Sequence, residues 1–316
     1  MSNIFIKIVC LGLFVSTSVM ISAQQLANQE SDISIGLLVN DQNAAEASCS
    51  AELAVKQIND LGGINGIPLR LIIRYVAGSW GAGSKEVVDL VFKDKVKAIL
   101  GSIDGRDSHL AEQVIAKTQV LYLSAWATDP SLSKAFVPWY FSLVPTDDQQ
   151  ADSLLKELSL TKRVEKILVV YDQTYDATQA VKSMTHAANE IDGLSISTLP
   201  YHSFASKDQL SSLENDKSEA LVLLGRNIPV SVILDRLESL GNTIPVYINL
   251  SAQASKDFLQ NETDLTHQLN KIYTIDRLGD NYLRYKTNYV TDCNGNPGPI
   301  AIYSYDGIMI ISEALK

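Results

Sequence analysis

The sequence predicts an α/β protein made of two doubly wound parallel-sheet lobes joined by crossover strands. Three observations carry this expectation. Short apolar runs alternate with longer amphipathic segments, several of the runs are apolar throughout, and the alternation restarts after an extended Pro/aromatic stretch near residue 140. Runs apolar on both faces are what strands buried inside a parallel sheet require, and strand followed by helix, repeated, marks βα units.

Taken in order, strand-like runs fall at Ile33 to Val39, Leu69 to Val76, Val96 to Gly101 and Val120 to Ser124. A second series falls at Lys166 to Tyr171, Leu194 to Leu199, Ala220 to Leu224, Pro245 to Asn249 and Lys271 to Ile275. Helix patterns lie between them. Ala44 to Asn59 places Ala51, Ala54, Val55 and Ile58 at helical spacing, and Lys85 to Phe92 repeats it with Val87, Val88 and Val91. Leu110 to Ala116, Ala151 to Leu158, Thr178 to Ile191, Val230 to Leu240 and Ile300 to Leu315 complete the set. Pro138 to Ser142 reads as an extended crossing, followed by a capped helix start at Pro145-Thr146-Asp147-Asp148. A second crossing is expected at Tyr273 to Ile275, after which the chain is polar up to the Gly295 to Pro299 loop. One lobe is therefore expected over 31–141 plus 277–316, and the other over 145–275.

The N-terminus reads as an export signal. Lys7 is the only charge before Gln24, Ile8 to Ile21 is apolar or small, and Ile21-Ser22-Ala23 is a small-residue exit with cleavage expected near Ala23. The apolar stretch is shorter than the roughly 20 residues that a membrane span needs. A periplasmic, exported monomer is the expectation. Removing Lys7 takes the net charge from −10 to −11, which argues against nucleic acid or anionic membranes as partners. Cys49 and Cys293 remain after cleavage; in an exported protein they can pair, the alternative being two separate buried thiols.

No catalytic constellation is readable. Gly-x-Ser-x-Gly is absent, and His109, His186, His202 and His267 are scattered without metal-ligand spacing. No metal or cofactor is expected. Gly78-Ser79-Trp80-Gly81-Ala82-Gly83-Ser84-Lys85 has the look of a phosphate loop, but its Gly-Ser-Lys order does not return a Lys to a phosphate as Gly-Lys-Ser does. The residues just beyond the carboxyl ends of the strands are more informative, because ligands of doubly wound sheets bind there. They are Asn40-Asp41, Ser102 to Asp107, Ser124 to Thr128, Asp172 to Asp176, Gly225-Arg226-Asn227 and Asn249-Leu250-Ser251. They are rich in short polar side chains with aromatics among them, the composition of a small-molecule cleft.

One segment is specific enough to carry a resemblance. Ala51 to Gly66 runs as a helix ending in Ile58-Asn59, then Gly62-Gly63-Ile64 and a further Gly66, before a strand. With Ala98 to Ser102, Leu123 to Pro130, Val169 to Asp172 and Tyr305-Asp306-Gly307, it resembles the branched-chain amino acid (leucine/isoleucine/valine) family of periplasmic solute-binding proteins, from about Ile33 onward. The resemblance implies two lobes that close on a small-molecule ligand and then dock on the membrane permease of an ABC importer. An extracellular sensor domain of the same fold is the alternative. It also implies that Gly105, Arg106, Ser124, Trp126 and Thr128 of the first lobe, with Tyr175 of the second, face the ligand. Departures are visible. Asp104 to Asp107 replaces a Ser/Thr run, Trp126 replaces a small residue, and Ser251 stands where an acid usually meets the ligand's ammonium. Arg226 is then a candidate bidentate donor to an anionic group. The family usually continues past its last long helix, whereas this chain stops at Lys316. The expected function is capture of a small polar or anionic molecule for import, with no enzymatic activity.

Overall fold

The structure is a computed structural model that describes residues 32–40, 44–76, 82–101, 104–201, 217–265, 269–272, 280–293 and 295–316. The expected export signal, the tip of the Gly78–Gly81 loop, His202, His267 and the crossing expected at Tyr273 to Ile275 lie outside the described residues.

The first sheet consists of β1 (Ile33–Val39), β2 (Leu69–Tyr75), β3 (Ala98–Gly101), β4 (Leu121–Ser124) and β5 (Tyr140–Ser142), all parallel, in the order β2-β1-β3-β4-β5. The second consists of β6 (Lys166–Tyr171), β7 (Ser195–Pro200), β8 (Ala220–Leu224), β9 (Val246–Ile248) and β10 (Asn270–Lys271), parallel in the order β10-β9-β8-β6-β7. The two sheets share one winding plan. Each reverses direction beside its first strand, between β1 and β3 and between β6 and β8, and that reversal opens a crevice at the strands' carboxyl ends.

Helices cover both faces of each sheet. Around the first lie α1 (Ala44–Asp60), α2 (Ala82–Val88), α3 (Gly105–Thr118) and α4 (Pro130–Lys134); around the second lie α5 (Asp147–Lys156), α6 (Tyr175–Asn189), α7 (Val230–Ser239), α8 (Leu250–Gln253) and α9 (Lys256–Leu265). The central strands β1, β3, β6 and β8 have two dry faces, which is why their runs are largely apolar. Leu37 and Leu100 meet Ala51, Ala54 and Ile308 on one side of the first sheet, while Leu38 and Ile99 meet Val87, Leu90 and Ile115 on the other. In the second sheet Val170 and Leu221 face Ile233 and Phe258, and Val169 and Val222 face Leu155 and Met184. α2 and α5 each end in a wider turn, closed by Asp94 N–H to the Asp89 carbonyl and Lys162 N–H to the Glu157 carbonyl.

The Ile-Asn-x-x-Gly-Gly stretch has a mechanical explanation. α1 stops where the Gly63 N–H reaches back to the Ile58 carbonyl at 3.0 Å, the bond that closes a glycine helix terminus. Gly63 sits at φ +75°, and a Cβ there would stand 2.3 Å from the Ile67 carbonyl oxygen, so only glycine fits. Asn59 then grips both backbone groups of Leu69, accepting at 2.7 Å and donating at 2.8 Å, which registers β2 against the helix before it.

Two expectations are corrected. Tyr140–Ser142, read as part of the crossing, is β5, the fifth strand of the first sheet, and the passage to the second lobe comes after it. The run is three residues long with Phe141 half exposed, so pairing with β4 rather than local pattern makes it a strand. The stretch read as merely polar after residue 275 contains α10 (Asp280–Cys293). Its buried face is built from Tyr282, Tyr285 and Tyr289, whose hydroxyls hide an apolar stripe. α10 and the last helix, α11 (Pro299–Ala314), both pack on α1. Ser50 Oγ lies 2.8 Å from the Tyr285 hydroxyl and donates to the Ala301 carbonyl at 2.6 Å. Cys49 on α1 and Cys293 at the end of α10 form a disulfide with Cα atoms 5.8 Å apart.

Candidate functional site between the lobes

The crevice ends of both sheets come together, and hydrogen bonds join them beside an apolar contact of Leu250 and Ala254 with the first lobe's core. β3 feeds α3 through Asp104, whose carboxylate caps the helix by accepting from the Arg106 N–H at 2.7 Å and is ion-paired to the Arg106 guanidinium at 3.2 Å. The Gly105 N–H, free of the helix's own ladder, donates to Asp176 Oδ1 on the second lobe at 3.0 Å. A Cβ on Gly105 would lie 2.7 Å from that oxygen, so the approach needs glycine. The Tyr175 hydroxyl donates to Asp129 Oδ2 on the first lobe at 2.8 Å. The crossover joins in, with Asp147 N–H donating to the Thr128 carbonyl at 2.8 Å.

Asp129 is the hub of the first-lobe side. It caps α4, accepting from Ser131 N–H at 2.9 Å and Ser131 Oγ at 2.6 Å, and lies 3.1 Å from His109 Nε2. Burial works against its charge, but the donors His109, Ser131 and Tyr175 together hold it well below the usual carboxylate range. His109 is pushed the other way, up to about 9, by its hydrogen bonds to Asp129 and Glu112. On the second-lobe side, burial beside Asp104 lifts Asp176 to about 7, opposed by Arg226 and by the Gly105 N–H. Burial also pushes Asp107 up to about 6, helped by Asp104. Arg226, lowered by burial, faces Asp176, Asp104 and Asp172 and also lines a cavity of about 380 Å³ with Asn227, Ser255 and Lys256. Asp172 accepts from the Asn227 N–H at 2.6 Å and the Thr174 N–H at 2.9 Å, tying the β6 and β8 loops together.

The structure thus gathers Gly105, Arg106, Tyr175 and Arg226 in one place, with Thr128 beside them through Asp147. Ser124 lies at the end of β4, fully buried, its Oγ accepting from the Ala127 N–H at 3.2 Å. Trp126 lines, with Val39, Gly101 and Ser304, a small cavity at the carboxyl ends of β1 and β3. Its side chain is buried in the first lobe's core, edge-on to Tyr303 with centroids 5.4 Å apart. Ser251 is buried on α8, capped by Asn249, and its neighbours Leu250 and Ala254 pack into the first lobe's core. Asp129, Asp147 and His109 were not assigned to the crevice from the sequence, and Asp176 stood there only as the end of the Asp172 to Asp176 loop. Asp129 and Asp147 advertise themselves only as helix-start residues, and what else they touch depends on the opposite lobe.

Ser131 Oγ, His109 Nε2 and Glu112 stand in nucleophile–base–acid order, at 3.0 Å from Ser131 to His109 and 3.6 Å from His109 Nδ1 to Glu112. The order does not confer activation. A histidine charged up to about pH 9 cannot accept the serine proton at neutral pH, and the hydroxyl is already bonded to Asp129. The arrangement is a charged strut, and its sign can be measured. Because His109 titrates higher in the folded chain than its ordinary value near 6.5, its contribution is full below that pH and is lost as pH rises through about 9. We expect stability to fall by about 1 kcal/mol between pH 7 and 9.5, after allowance for solvent screening. His109→Gln should flatten that alkaline limb in a melting profile; an unchanged limb would rule the strut out.

Two winding-matched lobes whose loops meet across a polar crevice define a bilobed ligand-binding protein. The family model described as "Periplasmic binding protein" matches residues 33–243, and the chain belongs to that family of solute-binding proteins. The Leu/Ile/Val-binding protein homolog 1 of Brucella melitensis is 30% identical over 148 residues, covering 45% of this chain. That alignment spans 39% of the relative's own length. Among solved structures, the branched-chain amino acid transporter substrate-binding protein LivJ of Streptococcus pneumoniae, in complex with isoleucine, superposes with a TM-score of 0.75 at 19% identity, over 90% of this chain and 84% of that one. A solute-binding protein of an ABC transporter from Rhodopseudomonas palustris, in complex with 3,4-dihydroxybenzoic acid, gives 0.72 at 16% identity, over 91% and 81%. At these identities the likeness shows the fold.

Proposed function

We propose that this chain is the exported solute-binding component of an ABC importer, capturing one small polar molecule between its lobes and presenting it to a membrane permease. The observation that carries the reading is the pair of lobe-bridging hydrogen bonds at the strands' carboxyl ends, Gly105 to Asp176 and Tyr175 to Asp129. At the crevice they join the lobes through side chains and one helix N-terminus, beside the apolar contact that Leu250 and Ala254 make with the first lobe's core, and polar contacts of this kind suit a surface that parts to accept a polar guest. Export, with cleavage near Ala23, is part of the same reading. The two solved relatives described above are substrate- or solute-binding proteins of transporters, which supports it.

The test is native mass spectrometry of protein purified without denaturation, paired with a thermal-shift screen of amino acids, amides, amines and carboxylic acids. We expect one bound small molecule per chain, or a hit that at a hundredfold excess over Kd stabilises the fold by about 2.7 kcal/mol. A chain that carries no solute and responds to none of these classes is not a solute-binding protein.

A further inference from the structure

Building on the solute-binding reading, we infer that the captured solute is a small organic cation without a carboxylate, an alkylamine or a guanidine, whose charged head sits on the Asp147 carboxyl at the crossover. The argument starts from where an anion would have to go. The free N–H at the start of α3 is already bonded to Asp176, 3.0 Å away, and the Arg106 guanidinium is turned onto Asp104. Arg226 faces Asp172, Asp104 and Asp176. The α3 N–H and the Arg106 guanidinium are therefore engaged by the chain's own carboxylates, and Arg226 sits in the field of three acids.

Asp147 is in the opposite condition. It is 3% exposed, and its Oδ2 has no hydrogen-bond partner. Thr128 bonds the carboxyl from one side, and the charged groups that act on it are Asp176, Asp129 and Asp148, all acids. Asp129 is answered by His109, Asp148 by Lys134 at 2.7 Å, and Asp104 by Arg106, so among these carboxyls the one with an unused oxygen is also the one with no cation beside it. A second carboxylate brought here would add like charge to a poorly solvated acid cluster, which is costly. An ammonium or guanidinium would instead donate a charge-assisted bond to Oδ2. Among the described residues no group of three or more His, Cys, Asp and Glu could hold a metal ion. Burial pushes the ligand-free Asp147 carboxyl well above the usual range. A cation that makes it ionise must release its proton, which gives a readout independent of affinity.

The experiment is isothermal titration of the mature protein at pH 7.5 with butylamine, agmatine, L-leucine and 3,4-dihydroxybenzoate, each in buffers of different ionisation enthalpy. We expect an amine or agmatine to bind with net proton release, its extent set by how far the ligand-free carboxyl is protonated at that pH. Asp147→Asn should weaken that binding tenfold or more while the ligand-free variant melts no lower than the parent. Binding of L-leucine or the benzoate with no response to either cation overturns the inference and leaves the solute-binding function standing. Cation binding without proton release, or undiminished in Asp147→Asn, removes Asp147 as the seat, and the first of these can be read even if the variant does not fold. If no probe binds and no solute co-purifies, the inference and the function on which it rests both fall.

Discussion

Trp126→Ala is expected to lower the stability of the protein by about 4 kcal/mol, the scale for emptying a fully buried aromatic site. Trp126 is 2% exposed and belongs to the cluster that includes Leu37, Leu100, Val144, Leu250 and Ile300. One of these makes the effect more than local. Leu250 belongs to α8 of the second lobe, so the indole lies in a core that both lobes share, and its loss should loosen the lobe contact as well as the sheet. A comparison separates packing from ligand contact. The indole Nε1 is buried without a partner, so Trp126→Phe discards an unsatisfied donor and should cost under about 1.5 kcal/mol. Urea unfolding of both variants checks this. If Trp126→Ala unfolds at the parent's midpoint but loses its solute, the side chain is a ligand wall, as the resemblance implied, and not a core residue.

Opening the Cys49–Cys293 disulfide is expected to cost about 3 kcal/mol. The bond closes a loop with a sequence separation of 244 residues, and for so long a loop the entropic ceiling is near 5 kcal/mol. The native ends are well held without it: Ser50 meets Tyr285, Tyr305 donates to Gln57 at 2.5 Å, and Tyr285 packs tilted against Tyr305 with centroids 4.5 Å apart. The fold should therefore survive reduction with a melting temperature lower by about 6 to 12 °C. Calorimetry of the Cys49→Ser/Cys293→Ser protein against the parent, and of the parent with and without reductant, measures it. Two reactive thiols in the denatured, unreduced mature protein would show that the bond does not form. Its presence suits an oxidising compartment, in keeping with the proposed export.

Much of the architecture was legible because it is local. The central strands of both lobes announce themselves as apolar runs, since both faces of each are dry, and eight of the expected runs coincide with strands to within a few residues. The α1 terminus was legible through its glycines. What escaped did so for identifiable reasons. β5 is too short and too exposed at Phe141 to read as a strand, and α10 buries tyrosines that score as polar. Cys49 and Cys293 left two readings open because spacing says nothing about which helices meet.

The site divides along the same line. The sequence by itself determined the lobes, the capped helix starts and the loops beyond the strands, because periodicity and capping depend on residues a few positions apart. It placed Gly105, Arg106, Tyr175 and Arg226 in those loops. Only the tertiary structure decided what they meet. The bonds that define the crevice join residues 71 apart in Gly105–Asp176 and 46 apart in Tyr175–Asp129, and whether a given aspartate is a cap, a counter-ion or an unanswered acid depends on which loop arrives opposite it. Asp147 shows the difference. In the sequence it is the first residue of a capped helix; in the fold it is a buried carboxyl among carboxyls, because the crossover delivers it to where Thr128, Asp129 and Asp176 converge.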